Sequence, residues 1–264
     1  MSSIQFEIKN SVAFITLNRP DKFNSFNREM ALLLQNRLDE CASLHEIRCV
    51  YITGAGKAFS AGQDIGELAP SQPPSQGEEI TIKQILSEHY NPIVKRIRNL
   101  PKPVIAAVNG VAAGAGANIA LCCDIVVAAA AASFIQAFSK IGLIPDSGGT
   151  FTLPRLIGWQ KASALMMTGD KISATEAENL GMIYKVFADE SFDEESKKLA
   201  ATLANMPTKG LAYTKHALNH SFTNNWEEQL LLEDEFQQKA AQTNDYNEGI
   251  NAFLQKRNAN FRGE

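Results

Sequence analysis

Asp146 stands in "KIGLIPDSGGT", residues 140–150, between the apolar Ile141, Leu143 and Ile144 and a Ser-Gly-Gly turn. A carboxylate with apolar neighbours resists ionisation, because burial disfavours the charged form, and a raised pKa suits it to shuttling one proton. The same residue could instead cap a helix starting at Gly148 or Gly149, a role worth about 1 kcal/mol. The residue pattern alone leaves both roles open. Two further turns could do chemistry through the main chain: "TGAGKAFSAGQDI" after the apolar run at 48–53, and "NGVAAGAGANIA" after the run at 103–108. The first N–H groups of a helix lack internal partners and sit at its positive dipole end, and small residues let a ligand oxygen come close to the chain. Two such turns facing each other would make an oxyanion hole, each donor worth about 3 kcal/mol in the transition state. The alternative is that these glycines only permit tight packing.

Other chemistries fit poorly. "GAGKAF" lacks the phosphate-loop frame, with Ala58 where a hydroxyl is needed, and "GAGANI" lacks the third glycine of a dinucleotide fingerprint. His45, His89, His216 and His220 form no triad pattern, and His216 and His220, four apart on one helix, have no carboxylate pattern beside them for a metal. Ser139 and Ser147 have no evident base. Cys122 and Cys123 read as core thiols, and Trp159 and Trp226 as core or interface residues.

The elements that must position these groups follow from periodicity. "IQFEIKNSVAFITLN" reads as a hairpin about Asn10-Ser11, with Val12, Phe14 and Thr16 on one side of its second strand. Met30, Leu34, Leu38 and Cys41 recur at helical spacing after Asn27, a cap candidate. "RCVYITG" is a short buried strand, so a βαβ unit is expected. "GELAPSQPPSQGEE" reads as a mobile surface loop, covering 66–80, and a helix is expected over roughly 79–99. A strand at "PVIAAV", the glycine-rich turn and its helix, and the short runs "IVVAA" and "SFIQAF" follow. From Gly148 the pattern turns mostly helical, with a Ser173/Glu176 capping box, a last strand at "GMIYKVF", and helices near 191–205, 207–220 and 224–241. A final helix carries Ile250, Phe253 and Leu254 on one stripe. The chain thus divides into an α/β part, 1–190, and a helical part, 191–264.

Composition bounds the partners. The 264 residues are 45% hydrophobic and carry a net charge of −4, with a pI near 5.7, so nucleic acid is a poor default partner. Four cysteines without CxxC spacing suit a reducing, cytoplasmic setting. The most apolar region, 119–138, is interrupted by Asp124 and Gln136, so no membrane helix is expected.

In this order "AGQDI", "NGVAAGAGANIALCCDIVVA" and "GLIPDSGGT", together with "TLNRPDKFNSF" and "AFLQKRNANF", resemble the crotonase (enoyl-CoA hydratase/isomerase) superfamily over essentially the whole chain. The resemblance implies an α/β fold, a spiral of ββα turns with a helical C-terminal trimerisation region, and a homotrimer or dimer of trimers acting on acyl-CoA thioesters, with no cofactor beyond the CoA of the substrate. It implies an oxyanion hole from the N–H groups of Gln63 and Ala115, the latter departing from the usual glycine. CoA contacts are implied at Lys22, Phe23, Ala61, Asp64 and Ile65, and at Phe253 and Lys256 of the same or a neighbouring subunit. Asp64 could equally be a structural cap, and Lys256 a solvated surface charge. The hydratases of the superfamily use two glutamates; the matching positions here hold Asn118 and Phe138. Neither can exchange a proton as a carboxylate does, so hydration is disfavoured. Asp146 matches the aspartate of related isomerases, where it is a base, and of dehalogenases, where it is a nucleophile. An idle CoA- or RNA-binding scaffold is the third possibility. Within the superfamily, the segments around Phe23, Ala115 and Asp146 resemble isomerases of phenylacetate breakdown, which take an aryl-epoxide thioester to its oxepin form and shift 3-enoyl double bonds to the 2,3 position. Phe138 and the alanines at 128–132 suit an apolar or aryl acyl group.

Overall fold

The protein is described here by a computed structural model, which covers residues 2–67 and 81–264. Asn10 and Ser11, at φ 50° and 61°, make the tight turn between β1 (Ile4–Lys9) and β2 (Val12–Leu17), as expected of a two-residue hairpin loop. β2 does not have one buried side. It lies between β1 and the parallel β3 (Cys49–Gly54), and Val12, Ala13, Ile15 and Leu17 are all buried, because the sheet is covered on both faces. Between them runs α1 (Arg28–Ser43), whose first turn is capped by Asn27 Oδ1 accepting from the Met30 N–H at 3.0 Å.

Three strand pairs then repeat one pattern. β3 is followed by β4 (Ala58–Ser60), β5 (Val104–Val108) by β6 (Val111–Ala113), and β7 (Ile125–Ala129) by β8 (Ser133–Ile135). The first member of each pair joins a six-stranded sheet of order β1-β2-β3-β5-β7-β10. The second joins a four-stranded sheet, β4-β6-β8-β9, with β9 at Lys171–Ser173 and β10 at Lys185–Phe187. This winding of ββα turns is the expected spiral. The small sheet was not expected, because three-residue strands such as β4 and β6 lack enough length for a period to register.

The helices complete the spiral. α2 (Ile82–Gln84), a π-helical turn (Ile85–Tyr90) and α3 (Asn91–Asn99) form one interrupted helix where a plain one was expected. α4 (Ala115–Leu121) follows β6, α5 (Gly149–Ile157) and α6 (Trp159–Thr168) follow β8, and α7 (Ala174–Asn179) follows β9. Ser173 Oγ caps α7 by accepting from the Glu176 N–H at 3.1 Å. α8 (Phe192–Ala204) packs on the large sheet, where Ser196 Oγ meets Tyr51 Oη at 2.8 Å, so the all-helical segment begins inside the packed core. α9 (Thr208–His220), α10 (Trp226–Ala241) and α11 (Asn244–Leu254) complete the chain. Lys215 of α9 reaches back to Asp124 Oδ2 at 2.8 Å and to the Ile97 carbonyl at 2.7 Å. Trp159 and Trp226 are exposed, not in the core, whereas all four cysteines are buried. No described helix is long and apolar enough to cross a membrane.

Candidate active site

Two turns meet at the ends of the small-sheet strands. After β4 the Ala61 N–H donates to the Phe23 carbonyl at 2.9 Å. A short parallel pairing follows, in which Phe26 N–H donates to Gly62 O at 2.6 Å and Asp64 N–H to Phe26 O at 2.9 Å. Peptide groups alternate in direction along such a pairing, so the N–H of Gln63 faces away from Phe26. On that side lies the second turn. Gly62 has φ +88°, and a Cβ there would stand 2.8 Å from Ala113 O and 3.2 Å from Ala115 N, so only glycine lets the two turns touch. Ala115 is the first residue of α4, and its N–H has no helical partner. Among the described residues neither the Gln63 nor the Ala115 amide has a protein acceptor.

Both turns border a cavity of about 230 Å³, and Asp146 lines the same cavity. The rest of its wall is mostly apolar, from Ile65, Ile82, Ile85, Leu86, Phe138 and Leu143. Phe138 stands beside the second turn, within 3.9 Å of a Cβ placed on Gly114. The alanines at 128–132 are not in this wall. Ala128 and Ala129 belong to β7 and are buried in the core with Ala132.

Asp146 is not a helix cap. The cap of α5 is Gly148, at φ 77°, with no side-chain bond. The carboxylate instead accepts at Oδ1 from the Ser147 hydroxyl at 2.8 Å. Burial pushes its pKa up, and the Ser147 bond offsets part of that rise. Its main chain is held firmly: Asp146 O accepts from the Gly149 N–H at 2.8 Å and from Asn118 Nδ2 at 2.9 Å. Gln136 Nε2 in turn donates to Asn118 Oδ1 at 2.8 Å, and Asn118 is fully buried. Gly149 must be glycine, since a Cβ would fall 2.3 Å from Asn118 Nδ2. So Asn118, which the family resemblance matches to a hydratase glutamate, is an anchor for the loop that carries Asp146.

The residues expected to contact CoA gather near the first turn, with two exceptions. Lys22 ends the 3-10 turn Pro20–Lys22, and Phe23, at φ 50° and half-exposed, is tied to Ala61. Ala61 and Ile65 line the cavity. Asp64 is occupied structurally. Its Oδ1 accepts from the Gly66 N–H at 3.1 Å, and Arg19 Nη2 lies 2.8 Å from Oδ2. Burial would raise its pKa, but the bonds from Arg19 and Gly66 outweigh that and hold it below the usual carboxylate range. Phe253 is 81% exposed on α11, followed by exposed Lys256, and neither lines the cavity of the single chain. The loop expected at 66–80 lies outside the described residues from 68 onward. Among the described residues no cluster of three or more His, Cys, Asp or Glu could hold a metal. Tyr90, on the cavity wall, was not singled out from sequence.

The profile of the enoyl-CoA hydratase/isomerase family matches residues 7–264. The chain belongs to that family, which is to say to the crotonases. It is 45% identical to the 1,2-epoxyphenylacetyl-CoA isomerase of Escherichia coli, with all of both chains covered. It is 40% identical to a protein of Rhodobacter capsulatus named a probable enoyl-CoA hydratase, covering 99% of this chain and 98% of that one. The structure of the Bacillus anthracis enoyl-CoA hydratase superposes with a TM-score of 0.89 at 32% identity, covering 99% of this chain and all of the other. The spiral is therefore the crotonase fold, in a family that acts on acyl-CoA thioesters.

Proposed function

We propose that this crotonase is a CoA-thioester isomerase with Asp146 as its proton carrier and the Gln63 and Ala115 amides as its oxyanion hole. One observation carries the reading. The two unpartnered amides and Asp146 border a single cavity, and the positions that the resemblance matches to the hydratase glutamates hold Asn118 and Phe138. The thioester oxygen accepts from the two N–H groups, which favours the enolate over the ketone form. The Asp146 carboxylate takes a proton from the α carbon of a 3-enoyl ester. The electrons of that C–H bond pass into the enolate, and the same carboxyl returns the proton at the γ carbon, leaving a 2-enoyl ester. A raised pKa fits a group that must both accept and return the proton. Adding water would need a second acid/base group on that water, which the two positions do not supply.

The finer substrate is an aryl-epoxide acyl-CoA, taken to its oxepin form. This is supported by the 45% identity to 1,2-epoxyphenylacetyl-CoA isomerase and by the mostly apolar wall with Phe138. CoA would lie along Lys22, Phe23, Ala61 and Ile65, with Asp64 shaping the turn. Phe253 and Lys256 would reach it from a neighbouring chain of a homotrimer or dimer of trimers. No cofactor beyond the substrate's CoA is required. The test offers the protein aryl-epoxide, 3-enoyl and 2-enoyl CoA esters. Turnover of the first two and a fall of about 1,000-fold or more in Asp146→Asn, with ester affinity kept, is the expected result. Near-wild-type turnover by that variant ends the proposal.

A further inference from the structure

The helix that walls the cavity changes its winding for one residue's sake. Pro92 has no N–H, and its ring crowds the carbonyl four residues back, that of Glu88. The chain answers with the π-helical turn Ile85–Tyr90, after which the Asn91 N–H donates to Leu86 O, five residues back. Carbonyls loosened there are met from α1, where the buried Gln35 donates Nε2 to Glu88 O at 2.7 Å and to His89 O at 3.3 Å. The extra residue shifts the faces. In an unbroken α-helix His89, seven residues on, would share the face of Ile82. Here Tyr90 joins Ile82, Ile85 and Leu86 on the cavity wall. His89 is buried instead, and its Nε2 has no partner. An unpaired buried polar atom is destabilising, and single π turns concentrate at functional sites.

We propose that the π turn serves to bring Tyr90 to the oxyanion hole as a positioning residue that acts through Gln63. Tyr90 Oη donates to Gln63 Oε1 at 2.6 Å, and Gln63 Nε2 donates to Glu67 Oε2 at 3.2 Å. The side chain is thus held at both ends, directly beside the amide that polarises the substrate. Its backbone is held from the other side by the Phe26 pairing. Burial first, and then the charges of Asp146, Glu67 and Asp64, push the Tyr90 pKa well up, so the phenol stays a neutral donor. Without the hydroxyl, the 63–67 turn loses its tie to the cavity wall and the Gln63 N–H loses its fixed aim.

This inference rests on the oxyanion hole of the proposed function, and the experiment separates the two. The probe is hexanoyl-CoA labelled with carbon-13 at the thioester carbonyl, a saturated ester that cannot isomerise, bound to the full-length protein. Infrared spectroscopy reads the carbonyl stretch, which a working hole lowers. Wild type and Asp146→Asn should show the lowered stretch. Tyr90→Phe, which keeps the ring packed on Phe26, should lose much of the lowering while the dissociation constant changes by less than about threefold. On an ester that turns over, kcat should fall about tenfold at little change in KM, one donor being misaligned and not deleted. Tyr90→Phe added to Gln63→Ala should cost nothing more than Gln63→Ala alone, since the two act as one unit. A full lowering in Tyr90→Phe, or additive losses in the double variant, overturns the role of Tyr90. An unshifted carbonyl in wild type overturns the hole itself, and with it this role.

Discussion

Replacing Asn118 by Asp changes one atom in the anchor of the Asp146 loop, and its cost can be worked out. Oδ1 would keep the bond from Gln136, but the other oxygen would face the Asp146 carbonyl at about the 2.9 Å now spanned by the Asn118 Nδ2 donor. Two acceptors then oppose each other, unless the new carboxyl is protonated and donates. The site is fully buried, and buried carboxyls rise by up to about 3–5 pKa units. The folded pKa therefore lies above the unfolded value of about 3.9. Below that pH both states are protonated and the variant is close to wild type. As pH rises the unfolded state ionises first, the folded state binds more protons, and stability falls by about 1.36 kcal/mol per unit until the folded pKa is passed. A shift of about three units gives a loss of about 4 kcal/mol at neutral pH, or about 8–16 °C in Tm for a chain of this size. Thermal melts of wild type and Asn118→Asp at pH 4.5 and pH 8 check this, taking the difference between the two proteins at each pH. Asn118→Ala, which removes both bonds without adding a charge, should show a loss that does not depend on pH. Equal differences for Asn118→Asp at both pH values would refute the burial argument, and no loss at all would refute the anchor.

Burial of Asp146 has two further consequences. The proposed base works only when ionised, so the acid limb of kcat against pH should lie above the ordinary carboxylate range, falling about tenfold per unit below it; Ser147→Ala, which removes the bond that lowers this pKa, should move the limb to higher pH. Because the folded pKa is raised, ionising Asp146 costs stability as pH rises through the unfolded value, so Asp146→Asn should melt higher than wild type at pH 7 and not at pH 3. Lys215 is 7% exposed and serves Asp124 and the Ile97 carbonyl, so Lys215→Met leaves a half-buried carboxylate short of a partner and should cost about 3–5 kcal/mol in denaturant titrations. Adding Asp124→Asn to it should recover part of that loss.

Much of the fold was legible because its signals are local. Asn10-Ser11 announces a hairpin by turn chemistry, and Asn27 announces the start of α1 by capping. The second sheet was not, since strands of three residues carry no readable period and pair only because the spiral stacks them. Nor did the alternation along β2 tell that both of its sides are covered, with Val12, Ala13, Ile15 and Leu17 all buried. The alanines at 128–132 were placed at the site because they are small and apolar, which is equally the requirement of the core strand that Ala128 and Ala129 end. Asp146 was visible as a carboxylate among apolar neighbours, but its two possible roles could be separated only by seeing that Gly148 caps α5.

The parts of the site that the residue pattern alone left open share a cause. The proposed hole is made of main-chain N–H groups, which every residue but proline carries, so its donors at Gln63 and Ala115 were named through the family resemblance and not from side-chain identity. What betrays it is where side chains are forbidden: Gly62 is required because the turn at Ala115 touches it, and Gly149 because Asn118 does. The supports are side chains, but their partners are far along the chain, as with Tyr90 and Gln63, Gln35 and Glu88, or Asn118 and Asp146. Each support fills a place that local structure leaves open. Gln35 supplies the donor that Pro92 lacks, and Asn118 supplies a second donor to a loop carbonyl already bound once. Pro92 was therefore the readable sign, a residue that forbids one helical bond and so obliges the helix either to end or to widen. With the apolar residues of α3 continuing past it, Ile93 and Ile97 both buried, ending was the costlier course. The helix widened, and Tyr90 came round to the cavity.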